Sequence, residues 1–299
     1  MNIQSLILAG VSLSIFLMVL SIGMRVSWAD LQSVLSAPSR LARCLFAMYI
    51  LGPAVAILIC KTFSLHPAVI VALVTLSVAP VGAMFSKDML PLVAPSNPAF
   101  ARGLLFASTV SSVIVTPIIV EVIQLMFGEG KILHVSPLAI AQVVIGSVLL
   151  PLGIGLAIGH WRPATRSWVP AMQRASGLVL LVCVIPILIG AWPLMMSLVR
   201  EGTLTAIVLI TLLGLAAGHL LGGPNEDNRT VLAFATVSRH PGVAIAVASL
   251  ADQPLAPLGV LLAVLVSGLA VIPYKVWRKR LRAAGSGTAP HGPPPAGAH

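Results

Sequence analysis

Charge is scarce in this sequence. Only 9% of its 299 residues are charged and 58% are hydrophobic, where a soluble globular domain carries about 25% charged residues. That shortage excludes a water-soluble fold and points to an integral membrane protein. Aromatic residues are also few, at 5%. The apolar mass is Leu, Val, Ile and Ala in long unbroken runs, not the alternating strands of an outer-membrane barrel, so the expected class is all-α. The three cysteines, Cys44, Cys60 and Cys183, have no close pairing or metal spacing and read as small buried hydrophobes; no metal site is expected. Acidic residues number 8 against 18 basic ones, for a formal charge of +10. In a soluble chain that would suggest nucleic acid. In a membrane chain it reads as topology signals, and no nucleic-acid partner is expected. The chain has no paired acidic metal motif, no His-Glu-x-x-His and no nucleophile with a convincing base. Ser86 and Lys87 are adjacent, so they point to different helix faces and make a poor dyad. No enzyme activity and no cofactor are expected.

What is present is length of apolar run. A span needs about 20 apolar residues, and nine stretches qualify: 3–23, 42–60, 66–94, 99–127, 135–159, 175–199, 203–222, 229–251 and 254–277. Short linkers make residues 1–281 one polytopic membrane domain, and the Pro/Gly/Ala-rich segment 282–299 reads as a disordered cytoplasmic tail. The first basic residue, Arg25, follows the first apolar run, which marks an uncleaved span. One set of loops holds Arg25, Arg40, Arg43, Arg102, Arg162, Arg166, Arg174, Arg229, Lys275, Arg278, Lys279, Arg280 and Arg282, and the other holds Lys61, Lys131 and Arg200. This bias predicts a multi-pass protein of the cell membrane with its N-terminus outside and its C-terminus in the cytoplasm.

Lys87 and Arg239 belong to neither set. In the third stretch, Pro80 lies fourteen residues past His66, roughly 21 Å along a helix. Proline removes a backbone donor and clashes with the preceding turn, and Gly82 widens the conformations open to the chain. Ser86, Lys87 and Asp88 follow. The eighth stretch carries Ser238, Arg239, His240, Pro241 and Gly242 near its middle. The two segments lie five spans apart and so run in opposite directions. Paired interruptions in inverted halves point to a secondary-transporter site, and irregular backbone at that depth must face protein or a water-filled cavity. A charge at a helix centre costs about 2.5–3.5 kcal/mol, so Lys87 and Arg239 must be paired or wetted. They form either a substrate or ion site, with Asp88 as the available acid, or an ion pair that pins crossing helices; alternatively Lys87 and Asp88 sit near the inner interface and snorkel.

In the fourth stretch, Thr109, Ser112 and Thr116 share a helical face. They line a ligand site or bond their own helix and its neighbours. Pro117 is expected to kink that helix, and Glu121 is a weak candidate for an outer vestibule. His240 is either a proton carrier or a structural donor at the break. His66 and His219 read as helix-end residues.

Three motifs together resemble a family. "SIGMRVSWADLQSVLSAPSRLARCLFAMYILGPAVAIL" looks like the opening of bile acid:sodium symporter relatives, within the wider bile/arsenite/riboflavin transporter superfamily. "APVGAMFSKDM" and "TVSRHPGVAIAVASL" are similar to the family's two broken helices, and "TPIIV" to the end of the span after the first. The resemblance spans most of residues 10–275 and implies an inverted-repeat fold with a panel domain and a core domain. In that core two broken helices cross. It implies secondary active or facilitative transport of small organic anions, often coupled to sodium, and the nine spans match the family's nine-span members. The sodium-site positions depart from the family pattern. The first break has Phe85 and Ser86, or Ser86 and Lys87, where sodium-coupled members place a Ser/Asn-type pair. At the second break, a glutamate and a Gln-Asn pair are replaced by Ala235, Arg239 and His240. Thr109 and Ser112 still match hydroxyl ligands. Two expectations follow: sodium coupling is lost or reduced, with transport running as facilitated exchange or proton coupling, or the chain is an ordinary sodium symporter. An intramembrane enzyme and a sensor built on a transporter fold are the remaining, weaker alternatives.

Overall fold

A computed structural model describes residues 3–82, 98–127, 136–200 and 202–286. Among these residues the regular structure is helical apart from one isolated β-bridge. The helices are α1 (Ile3–Arg25), α2 (Trp28–Leu35), α3 (Pro38–Thr62), α4 (Pro67–Val78), α5 (Pro98–Phe127), α6 (Pro137–Trp161) and α7 (Val169–Gly190). They continue as α8 (Trp192–Ser197), α9 (Thr203–Leu221), α10 (Glu226–Val237), α11 (Pro241–Ala248), α12 (Ala256–Ala270) and α13 (Ile272–Ser286).

Among the described residues six helical stretches are long and apolar enough to cross a membrane, or seven if α1 and α2, bent by 81° at their junction, count as one. The chain is an all-α integral membrane protein. The two interrupted stretches fall below that length because each is cut by a break. Of stretch 66–94, α4 and residues 79–82 are described; stretch 229–251 is α10 followed by α11. Continuous α5 runs through Pro117 for 30 residues.

Two expected boundaries move. The sixth stretch ends at Gly190 and resumes as the short α8, because Pro193 has no N–H for the Ile189 carbonyl. Helix α13 continues past residue 281 to Ser286, into the segment expected to be disordered. The reason is tertiary: Arg278 and Arg282 are held by Glu226 and Asp227 at the start of α10. Cys44 and Cys60 are buried as expected, but Cys183 is only half-buried.

The helices sort into two groups. Helix α1 packs on α6 and α7, and its approach to α6 is backbone to backbone. A Cβ at Gly155 would lie 2.2 Å from the Leu20 carbonyl oxygen, and one at Gly159 would lie 2.5 Å from that of Met24, the small-residue logic of membrane helix pairs. The second group joins α3, α4, α5, α9, α10, α11 and α12, with α4 at its centre against α12, α11, α3 and α5. Helix α6 also packs on α5 of the second group. Ten of the twelve residues of α4 are buried, as a helix apolar on every face requires.

Candidate functional site

The site is built from backbone groups that proline sets free. Pro80 forces Ala79 into extended backbone (φ −61°, ψ 151°) and ends α4. The four residues that follow run antiparallel to the break between α10 and α11, with a bridge between Val81 and Arg239. The Gly82 N–H donates to the Ser238 carbonyl at 2.7 Å, and the His240 N–H donates to the Pro80 carbonyl at 2.8 Å. The two broken helices therefore meet main chain to main chain. A Cβ at Gly82 would lie 2.9 Å from the Arg239 carbonyl oxygen, so glycine is required there for close approach.

These diverted donors leave carbonyls behind, and each finds a partner. Val78 would bond the Gly82 N–H in a continued helix; it accepts instead from Thr116 Oγ1 at 2.9 Å. Thr236 would bond the His240 N–H; it accepts instead from Arg239 Nε at 3.0 Å. Ala79 accepts from Arg239 Nη1 at 3.1 Å. The third acceptor for Arg239 lies in α3, where residues Ala47–Leu51 form a π-turn and the Gly52 N–H bonds Ala47. The next residue is Pro53, which has no N–H. Met48 thus loses both its i+4 and its i+5 donor, and its carbonyl accepts from Arg239 Nη2 at 2.5 Å.

Arg239 is buried at 7% exposure. Its guanidinium joins three spans through three main-chain oxygens and lies 5.8 Å from the Tyr49 ring. Tyr49 in turn donates to the Ser108 carbonyl at 2.6 Å. Among the described residues no carboxylate pairs with Arg239. His240 caps α11: its Nδ1 accepts from the Val243 N–H at 3.4 Å. In the neutral ring this places the proton on Nε2, which is buried with no hydrogen-bond partner among the described residues.

Ser238, Arg239, His240, Pro80, Gly82, Pro241 and Gly242 are thus brought together. Thr109 and Ser112 are buried, and both donate within their own helix, to Leu105 and Thr109 carbonyls. Their oxygens keep lone pairs that can still accept. Ser86, Lys87 and Asp88 lie outside the described residues. Glu121 is exposed and accepts from Gln124. Sequence reasoning missed Met48 and Tyr49; the signal that could have found them is Gly52-Pro53, which unpairs a carbonyl one turn earlier. A cavity of about 170 Å³ opens at the crossing, bordered by Met18 of α1, Gly82, Ser238, Arg239, Pro241 and Ser267.

A profile of the sodium bile acid symporter family matches residues 12–198. That is more than half of the chain, and it includes α4 and its break but stops short of the second break. A probable sodium/metabolite cotransporter, BASS3, chloroplastic, of Oryza sativa subsp. japonica is 27% identical over 194 residues, or 64% of this chain. The chain spans under half of that relative, 44% of its length. The opening motif and the first broken helix that carry the resemblance lie inside the matched region, and on that match the chain belongs to the sodium bile acid symporter family.

Proposed function

We propose that the chain is a secondary transporter of small organic anions whose site is the crossing of the two broken helices. In this reading Arg239 takes the place at which sodium-coupled relatives hold a sodium ion. One observation carries it: a buried guanidinium ringed by the main-chain oxygens of Met48, Ala79 and Thr236. Uncharged hard oxygens converging from three spans suit a small cation, and here a tethered cation fills them. A sodium ion about 4 Å from that charge would meet roughly 4 kcal/mol of repulsion at an effective dielectric of 20. Ala235, at the resemblance's glutamate position, brings no carboxylate to offset it. Sodium coupling is then lost or reduced, and transport runs as exchange or with a proton. The Nε2–H of His240, without a partner among the described residues, supplies a donor for a substrate carboxylate beside the N-terminus of α11. The loops rich in Lys and Arg face the cytoplasm of a cell-membrane protein.

Ordinary sodium symport is the second reading, favoured by the rice relative's name and by the free lone pairs of Thr109 and Ser112. The unfolding midpoint of the detergent-purified protein in sodium chloride and choline chloride, at equal ionic strength, separates the two. A ligand at a hundred times its Kd stabilises the folded state by about 2.7 kcal/mol. Equal midpoints are expected, and a sodium-specific rise sinks the tethered-charge reading. In proteoliposomes, His240→Ala is expected to raise the half-saturating concentration of a transported organic anion about tenfold, the effect of one hydrogen bond to a charged group. Unchanged uptake removes His240 from the site.

A further inference from the structure

Arg239 and Ser267, with Leu76 and Val237, form the wall between the cavity at the crossing and a second, inner one. The inner cavity has a volume of about 50 Å³ and lies among α3, α4, α9, α10 and α12, within the core group. Its lining is aliphatic apart from Arg239 and four hydroxyls, Ser77, Thr211, Thr236 and Ser267. The hydrogens of those hydroxyls can be followed. Ser77 donates to the Val74 carbonyl at 2.7 Å, and Thr236 to the Gly214 and Ala233 carbonyls at 2.7 and 2.8 Å. Thr211 lies 2.8 Å from the Ile207 carbonyl and 2.9 Å from Ser267 Oγ. Thr211 carries one hydroxyl hydrogen for these two acceptors; turning it onto Ser267 frees the Ser267 hydrogen for a ligand. Arg239 has five N–H groups and places three of them on carbonyls. Carbonyl dipoles solvate its charge without neutralising it, and among the described residues no carboxylate does so.

An apolar chamber whose uncommitted polar hydrogens belong to a buried cation and one hydroxyl selects a ligand. We propose that the inner cavity holds a compact monovalent anion of the halide class, bound by Arg239 and Ser267 as a resident counter-charge. A volume of about 50 Å³ has room for a halide. Two or three donors are enough for a weakly hydrated halide and too few for a phosphate or sulfate. The anion is not the transported substrate, and the inference does not rest on the transport reading.

The test keeps sodium and ionic strength constant and replaces gluconate with chloride or bromide, following the unfolding midpoint of the detergent-purified full chain. A saturable rise is expected in chloride and in bromide. Ser267→Ala is expected to shift the half-saturating chloride concentration upward about tenfold, the loss of one hydrogen bond to a charged acceptor. Arg239→Gln is expected to remove the response. Equal midpoints in chloride and gluconate overturn the proposal, and so does a chloride response that Ser267→Ala leaves unchanged. Ser267→Ala keeps the test decisive even where Arg239→Gln does not fold. Because sodium is fixed throughout, a failure here is distinct from a failure of the tethered-charge reading.

Discussion

The first break gives backbone and the second gives side chains. Residues 79–82 contribute the Ala79 and Pro80 carbonyls and the Gly82 N–H. Residues 238–240 contribute the guanidinium of Arg239 and the ring of His240. The second broken helix is also fastened at its far end, where α10 meets α13 through Glu226–Arg278 and Asp227–Arg282. The lesson is that the two interruptions are complementary. Proline at one frees carbonyls, and a cation from the other collects them. A chain that crosses two broken helices in this way can hold a positive charge at membrane depth without a carboxylate partner from the described residues.

The sharpest way to break this comparison is to remove the cation. Arg239→Ala leaves the Met48, Ala79 and Thr236 carbonyls without their donors. At about 1–3 kcal/mol for each buried group left unmade, the sum exceeds about 3 kcal/mol, a large share of a domain's net stability. A collapsed unfolding midpoint and poor recovery are expected. Arg239→Gln brings two N–H groups and no charge, so it is expected to retain more stability and to gain a sodium-dependent rise in midpoint. If Arg239→Ala is as stable as the wild type, the guanidinium is not what holds the breaks together.

A smaller effect is expected from the glycines. At Gly82 an added methyl meets main chain, 2.9 Å from the Arg239 oxygen and 3.1 Å from its carbonyl carbon. Neither strand can yield without parting the bridge, and a loss of about 1–3 kcal/mol is expected for Gly82→Ala. At Gly242 the same methyl meets the Ile15 side chain of α1, at 2.3 Å from Cδ1, which can move aside. Gly242→Ala is expected to cost less than Gly82→Ala. The reverse order would mean that contact between the core and α1, not contact between the breaks, limits stability.

Both breaks were legible because proline, glycine and polar residues cluster inside an apolar run: α4 ends just before Pro80 and α11 opens at Pro241, whereas the isolated Pro117 lies within a continuous α5. Arg239 and His240 were legible as candidates because a charge inside an apolar run demands an explanation. Their partners were not. A carbonyl carries no residue-type signal, and only the tertiary fold decides that Met48, 191 positions away in the chain, reaches Arg239. The C-terminal helix was misread for a related reason. Composition after residue 281 favours disorder, while the acids that hold Arg278 and Arg282 sit about fifty residues earlier. Those arginines were counted as topology signals, and one of them, Arg278, is 2% exposed. The family was legible from the opening motif and the first break, inside residues 12–198.

The smallest expected effect tests whether the far end of the second broken helix matters to its break. Arg278 donates to the Glu226 carboxylate, to the Glu226 carbonyl at 3.0 Å and to Thr230 Oγ1 at 2.9 Å. The hydrogen bond from Arg278 holds the Glu226 carboxyl below its ordinary value, against a smaller opposing push from burial. A carboxyl depressed in the folded state stabilises fully above its unfolded pKa, and that stabilisation is lost as pH falls through the folded value. The ordinary value is 4.5, so the contribution is complete above about pH 5 and fades in more acid solution. Glu226 is 57% exposed at its side chain, which limits the pair to about 1 kcal/mol or less. Glu226→Gln is therefore expected to lower the unfolding midpoint slightly at neutral pH and to match the wild type in acid, so that the two pH curves converge. Parallel curves would mean that the pair is electrostatically silent and that Thr230 and the Glu226 carbonyl alone hold Arg278. In that case the second broken helix is secured by its break, and its far end is fastened by neutral hydrogen-bond acceptors without help from the carboxylate's charge.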